Sequence, residues 1–268
     1  MHLPRCSTLA ALVVLESTAS TNDELLARAA AGAPEFTVVV TTDQTAGRGR
    51  LGREWIAPPG ETIAASVLLR PRLPGGGPLA MDRWGWIPLL AGLAMTRSVH
   101  TLLPERNVSL KWPNDVLVGG RKISGILAEI IPVGGGLALG AGLNLTIPAD
   151  RLPTRTSTSL TIEAEGNRLP RDDELVDLAL STWLEELSSL YADFLRHDGD
   201  EAGSGIRRQV IEACGSIGQR VNVHLPGGSD LIGTATDIDA TGRIMIETEA
   251  DGHLEAVAAG DVTHLRYE

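Results

Sequence analysis

The residues best suited to chemistry crowd into one stretch, Gln44-Thr45-Ala46-Gly47-Arg48-Gly49-Arg50-Leu51-Gly52-Arg53. Three arginines within six residues offer planar, permanently charged forks that match phosphate or carboxylate. The glycines between them let backbone amides approach a ligand closely. Gly47, Gly49 and Gly52 satisfy G-x-G-x-x-G, but a dinucleotide loop must open a helix. Here Glu54-Trp55-Ile56-Ala57 runs instead into Pro58-Pro59-Gly60. No Gly-Lys-Ser/Thr follows, so a Walker-type phosphate loop is excluded as well. The bland alternative is a solvated surface turn. Two facts weigh against it: the chain is acidic, with a net charge of −11, and the loop follows a buried-looking strand.

A second group of polar residues lies at Lys111-Trp112-Pro113-Asn114-Asp115. Pro113 cannot donate to a strand ladder, so the chain turns there and presents Asn114 and Asp115. Lys122 follows, then Ile123-Ser124-Gly125, where a glycine inside a strand marks close approach of a backbone or ligand. Taken singly, Asp115 reads as a turn former and Lys122 as an exposed strand residue. Together with the arginine loop they point to an anionic, phosphate-bearing ligand.

The elements that must position these residues are legible from spacing. Strands are expected at Leu9–Leu15, Thr37–Thr41, Thr62–Leu69, Val108–Trp112, Val116–Val118, Lys122–Ile131 and Leu137–Leu145. Gly119-Gly120 makes a hairpin turn, and Gly134–Gly136 another. Thr21 and Glu24 are spaced as a capping box, which makes Thr21 the N-cap of a helix that stops near Gly32. Trp84–Leu103 and Asp172–Phe194 have helical apolar spacing. The 45–53 stretch should be irregular. After Cys214 the pattern changes to short strands at Val221–Leu225, Leu231–Asp237, Arg243–Glu249, His253–Ala258 and Val262–Leu265. Turns at Pro226-Gly227-Gly228, Asp239–Gly242 and Asp251-Gly252 separate them. Five short strands in about fifty residues suggest a small barrel. The chain therefore divides into residues 1–214 and 215–268.

Composition removes several classes. With 268 residues and 43% hydrophobic content the chain can build a real core, from aliphatic residues because only nine aromatics occur. The net charge makes nucleic acid a poor main partner. Cys6 and Cys214 form neither a disulfide framework nor a zinc motif, and the six histidines are scattered. No run of eighteen apolar residues spans a membrane, and the N-terminus lacks a signal-peptide pattern, so a cytoplasmic location is the default.

At this point the chain resembles the biotin–protein ligases. Ser20-Thr21-Asn22, Gln44 to Arg53, Lys111 to Asp115, Arg121-Lys122-Ile123-Ser124-Gly125-Ile126-Leu127 and Gly140-Ala141-Gly142-Leu143-Asn144 look like the family's blocks, in its order. The combination is specific, although no single block is. The likeness extends from about residue 14 to the C-terminus. It implies an α+β fold: a mixed sheet flanked by helices, like class II synthetases and the biotin–lipoate ligase catalytic domain. A small C-terminal SH3-like β-barrel follows. It also implies a two-step reaction, in which biotin and ATP form biotinyl-adenylate and a lysine of an acyl-CoA carboxylase carrier domain then takes the biotinyl group.

The resemblance carries roles onto positions. Lys122 lies against the biotin carboxylate and α-phosphate, and Arg50 holds the adenylate. Arg48 and Gly49, with Gly47, close over biotin. Ser20, Thr21, Asn22, Gln44 and Gly125 complete the biotin site. Arg53, Trp55, Lys111, Asn114 and Asn144 belong to the ATP or adenylate side. Asn114 and Asp115 face the phosphates, Mg²⁺ or the attacking lysine, and Mg²⁺ is held mainly by the ATP phosphates. With like charges and few carboxylates nearby in sequence, the arginine loop should be mobile until an anion orders it. Some family members carry an N-terminal winged helix-turn-helix. Here only nineteen residues precede Ser20, too few to fold as such a domain, so a ligase without the DNA-binding module is expected. Homodimers are common in the family, but no interface stripe is evident. The rivals are a lipoate ligase, whose Arg-Arg…Gly-Gly-Gly and His-Asp pattern is missing, and a non-catalytic regulator. The regulator's mark would be loss of Arg50 or Lys122, and both are present.

Overall fold

The structure is a computed structural model that describes residues 1–132, 135–165, 169–225, 228–258 and 261–264. The turns expected at Gly134 and Pro226-Gly227, and Leu265 at the end of the last strand, lie outside those residues.

Seven strands form a mixed sheet in the order β1-β2-β3-β7-β6-β5-β4. They are β1 (Ala11–Val14), β2 (Thr37–Thr41), β3 (Thr62–Leu69), β4 (Val108–Lys111), β5 (Asp115–Val118), β6 (Arg121–Ile130) and β7 (Leu137–Asn144). β1 and β2 pair in parallel, and the other neighbours are antiparallel. β2, β3 and β7 are buried along their whole length because both faces of the sheet are covered. Alternation assigns the faces. Val38 and Val40 join the main core under helices α3 (Trp86–Leu102) and α5 (Asp172–Arg196), while Val39 packs with Leu25 of α2 (Thr21–Ala30) on the other side.

The N-terminus differs from expectation. Pro4–Leu9 is a short helix, α1, with proline in its first turn, so only Ala11–Val14 is extended. α1 packs on α5, and Asp177 accepts hydrogen bonds from the backbone of Arg5 and Cys6. Helix α2 starts one residue earlier than its capping-box spacing suggested. Ser20 is the N-cap and accepts from Asp23 N at 3.4 Å. Thr21 is the first helical residue, which frees its side chain for contacts outside the helix. Two further helices, α4 (Leu160–Glu163) and α6 (Ile206–Ala213), had not been anticipated.

A second, antiparallel sheet follows α6, in the order β11-β10-β9-β8-β12. Its strands are β8 (Arg220–His224), β9 (Asp230–Ile238), β10 (Ile244–Thr248), β11 (Leu254–Val257) and β12 (Asp261–His264). It is the small SH3-like unit expected. Its β9–β10 turn docks on α3 and on the residue after β4: Trp86 Nε1 donates to Ala240 O at 3.0 Å and Trp112 Nε1 to Gly242 O at 3.1 Å. Both indoles are fully buried. Their N–H groups need partners there, and the turn carbonyls supply them. Among the described residues no helix is long and apolar enough to cross a membrane.

Candidate active site

The face of the sheet opposite α3 and α5 carries small and polar residues at its centre. On β3 the alternation places Ala64 and Ser66 there, and on β7 Gly140, Gly142 and Asn144. β6 follows the same rule only after a correction. Ile123 and Ile126 both face the main core although three residues apart, because the β5–β6 register shifts between Val116 and Leu117. Such a bulge re-aims the side chains before it. It sets Lys122 on the same face as Gly125, where its ammonium would lie 3.3 Å from a Cβ at that position. Gly125 and Gly142 are direct cross-strand partners. The Trp55 indole lies across this glycine floor: a Cβ on Gly142 would come within 2.7 Å of Trp55 Nε1.

The glycine–arginine loop is more regular than expected. Thr45 N and Ala46 N donate to Thr18 O and Ala19 O, both at 2.9 Å, which zips the base of the loop to the chain before α2. Residues 47–55 then form a small hairpin. Trp55 N donates to Gly47 O at 2.9 Å, and Gly49 N to Arg53 O at 2.7 Å. The apex is a single 3-10 turn, Arg50–Gly52, where Leu51 (φ 57°) and Gly52 (φ 73°) are both left-handed. Leu51 is well exposed there. The loop lies over the glycine floor and closes one side of a cavity. Ser20, Thr21, Asn22, Gln44, Arg48, Gly49, Arg50, Arg53, Trp55, Asn114, Asp115, Lys122 and Gly125 all line it.

Lys122 is fixed at both ends. Its backbone N donates to Thr156 O at 2.7 Å, and its carbonyl accepts from Thr158 N at 2.8 Å. Its Nζ is 2.7 Å from Asp115 Oδ1, an ion pair met outside the hydrogen-bonding angles. Asp115 opens β5, directly after the Trp-Pro-Asn turn, and Asn114 N closes that turn on Lys111 O at 3.1 Å. The Asn114 amide is oriented by donating to Ile126 O at 2.9 Å, and its oxygen accepts from Arg50 Nη1 at 3.3 Å. The two groups read from sequence thus meet across one cavity. Among the described residues, Arg50, Arg53 and Lys122 line it with Glu54 and Asp115 as the carboxylates on its wall. In an acidic chain, such a local excess of cations suits an anion.

Three of the expected residues stand elsewhere. Lys111 and Asn144 line an adjoining groove, with Arg53, Trp55, Asp115 and Lys122 common to both spaces. Gly47 is not on the cavity wall; it sits under the loop, where a Cβ would stand 2.8 Å from Gln44 Nε2. On two residues that line this groove, Trp55 Nε1 and Asn144 Oδ1 are shielded and have no protein partner among the described residues. An orphaned donor and an orphaned acceptor in one groove are what a heteroaromatic ligand would satisfy.

The expectation that the loop's arginines lack carboxylates fails for Arg48. Its guanidinium grips Asp23 with two bonds of 2.6 and 2.7 Å and reaches Glu129 at 3.1 Å. Those carboxylates are distant in sequence and close in space. Sequence reading also missed Ser66, which hydrogen-bonds Thr21 Oγ1 at 2.7 Å and Asn22 Oδ1 at 2.6 Å. The signal was present: Ser66 is the one polar residue within the apolar run of residues 63–69. Thr21 in turn donates to Gln44 Oε1 through its backbone N at 2.9 Å and its hydroxyl at 3.2 Å.

Comparison with known proteins agrees with this geometry. Residues 14–144 match the model of the biotin/lipoate A/B protein ligase family, and residues 216–265 match the biotin protein ligase C-terminal domain. The chain is 38% identical over 258 residues to the biotin–[acetyl-CoA-carboxylase] ligase of Mycobacterium tuberculosis, covering 95% of this chain and 89% of the relative. It is similar to the biotin protein ligase of Aquifex aeolicus solved with biotin and ATP, with 25% identity and a TM-score of 0.72 over 96% of this chain and 99% of that one. The biotin-bound ligase of Leishmania major is also similar, with 28% identity and a TM-score of 0.59 over 93% and 98% of the two chains.

Proposed function

The chain belongs to the biotin protein ligase family, and on that premise we propose that it activates biotin with ATP and transfers it to a carrier lysine. The observation that carries this reading is the meeting of Arg50, Lys122 and Asn114 over the Gly125–Gly142 floor. In the first step a biotin carboxylate oxygen bonds to the α-phosphorus of ATP. The bond to the β-phosphate oxygen breaks, giving biotinyl-5'-adenylate and pyrophosphate. Two anions must approach each other, and preorganised cations lower that barrier. Lys122 supplies the charge between them, and Arg50 grips the phosphate from the loop. In the second step a neutral lysine amine of the carrier domain attacks the anhydride carbonyl, AMP leaves, and the amine sheds its proton.

Roles divide along the cavity. Ser20, Thr21, Asn22 and Gln44 form the end that takes the ureido ring. Trp55 and Asn144, whose Nε1 and Oδ1 have no protein partner among the described residues, form the adenine side. Among the described residues no cluster of three or more His, Cys, Asp or Glu could hold a metal. Mg²⁺ would be carried by the ATP phosphates and would offset their charge, with Asp115 as the carboxylate beside them. The carrier is the biotin-accepting domain of an acyl-CoA carboxylase, and the reaction is placed in the cytoplasm. Nucleic acid has no role in it.

Pyrophosphate exchange into ATP tests the reading, run with biotin and with lipoate side by side. Exchange should require biotin, and lipoate should not support it. Exchange with lipoate alone would assign the chain to the other branch of the family. The glycine floor gives a second expected outcome. Gly142→Val would drive a branched side chain into the Trp55 indole, a strain of about 1–3 kcal/mol. The KM for ATP should then rise roughly tenfold or more, while the melting temperature falls by about 2–4 °C per kcal/mol of strain and the fold is kept. An unchanged KM would remove Trp55 from the nucleotide side.

A further inference from the structure

We propose that Asp23 and Glu129 are positioning residues that latch the 44–55 loop shut through Arg48. The proposal rests on the ligase reading and deepens it. Neither carboxylate belongs to the ligand set assigned above, and neither needs to touch substrate to act.

The geometry runs as a continuous chain of polar contacts. Arg48 places one guanidinium between two acids. Nη1 and Nη2 bind the two Asp23 oxygens at 2.6 and 2.7 Å, and Nη2 reaches both Glu129 oxygens at 3.1 and 3.2 Å. Glu129 is held in turn by Asn22 Nδ2 at 2.5 Å, and Asn22 Oδ1 accepts from Ser66 Oγ at 2.6 Å. Ser66 leads back through Thr21 to Gln44, at the base of the same loop. The loop is therefore tied at its base by Gln44 and farther along by Arg48, both to residues of α2 and the central sheet. Arg48 is the latch and not an anion contact, because its charge is already matched by two carboxylates. The Arg48 fork also holds the Asp23 carboxyl below its ordinary value.

Position in the fold explains why these two acids can do this. Asp23 lies in the first turn of α2, three residues after the N-cap. Glu129 lies near the end of β6, on the face that carries Lys122, Gly125 and Leu127. One acid comes from α2 and the other from β6, so a single guanidinium between them ties the loop to both elements. The pairs are partly exposed: the side chains of Arg48, Asp23 and Glu129 are 41%, 53% and 31% accessible. Exposed ion pairs are individually weak. The latch should therefore tune how long the loop stays shut and leave the fold unaffected.

The test compares the parent with Asp23→Asn, Glu129→Gln and the double variant, following loss of radiolabelled biotinyl-adenylate from the enzyme and hydrogen exchange of residues 44–55. Each single change should speed adenylate loss about two- to fivefold and the double change about tenfold. The rate of adenylation at saturating biotin and ATP and the melting temperature should hardly move. Faster exchange of the loop should accompany the faster loss. Asp23 also lies where an acid favours a helix N-terminus; if its variant lowers the melting temperature, Glu129→Gln decides alone. Equal adenylate retention in Glu129→Gln and the parent would overturn the latch. A parent that forms no adenylate would instead overturn the ligase reading, and the exchange arm would still report on the latch.

Discussion

Replacing Lys122 with alanine should lower biotinyl-adenylate formation by about 10²–10³-fold, the usual cost of losing one preorganised charge at such a centre. The fold should survive. Lys122 sits on the cavity face of β6, and its backbone bonds to Thr156 and Thr158 do not involve the side chain. The loss has two parts. The ammonium no longer offsets the repulsion between carboxylate and α-phosphate. Asp115, 2.7 Å from Nζ in the parent, is left as an unpaired carboxylate facing incoming anions. The second part can be separated: Asp115→Asn in the Lys122→Ala background should recover some activity, since it removes the repelling charge without restoring the attracting one. Pyrophosphate exchange measures the rate, and circular dichroism checks the fold. Near-normal exchange with an unchanged spectrum would take Lys122 out of the chemistry.

How such a site could be read from sequence depends on range. Strands β2, β3 and β7 were legible to within a residue because a run of aliphatics bounded by Gly, Pro and polar residues has one plausible form. Gly125 of β6 was legible as a place of close approach, and the structure lays Trp55 on it and on its cross-strand partner Gly142 of β7, which the strand pattern alone had not singled out. What periodicity cannot show is a register shift. The bulge opposite Val116 and Leu117 decides that Lys122 and Gly125 share a face, and a strict period of two would have put them on opposite faces. The same limit hid the Arg48 contacts. Asp23 and Glu129 lie 25 and 81 residues from Arg48, so a charge count along the chain left the arginine looking unpaired. α1 escaped because six residues are too few for a helical apolar pattern. The cap of α2 moved to Ser20 because Ser20 and Thr21 are both good caps and only the tertiary contact of Thr21 with Gln44 separates them.

Arg50→Gly should weaken retention of the adenylate more than its formation. Arg50 stands on the 3-10 turn at the loop apex and donates to Asn114 Oδ1 at 3.3 Å, so it joins the loop to the Trp-Pro-Asn turn. Lys122 lies on the floor and does not depend on that contact. Activation should continue at a reduced rate, while the product loses a charge-assisted contact of roughly 1.5–3 kcal/mol. At about 1.4 kcal/mol per decade, the adenylate should leave roughly ten to a hundred times faster. Released adenylate acylates amines without guidance, so the variant should label added serum albumin, whereas the parent labels its carrier. The enzyme itself offers few targets. Lys111 and Lys122 are its two lysines, against twenty-one arginines, and a guanidinium is not a nucleophile at neutral pH. Label should therefore appear on albumin and hardly on the ligase. Arg50→Lys should resemble the glycine variant more than the parent, because a point charge cannot reproduce a fork. The Arg48 contacts lie at the other end of the hairpin, so hydrogen exchange should loosen at residues 50–53 before it loosens at 44–48. If Arg50→Gly forms no adenylate, Arg50 belongs to the chemical step. If it retains adenylate as tightly as the parent, the phosphate contact passes to Arg53, the other loop arginine on the cavity wall whose side chain is not committed to the latch.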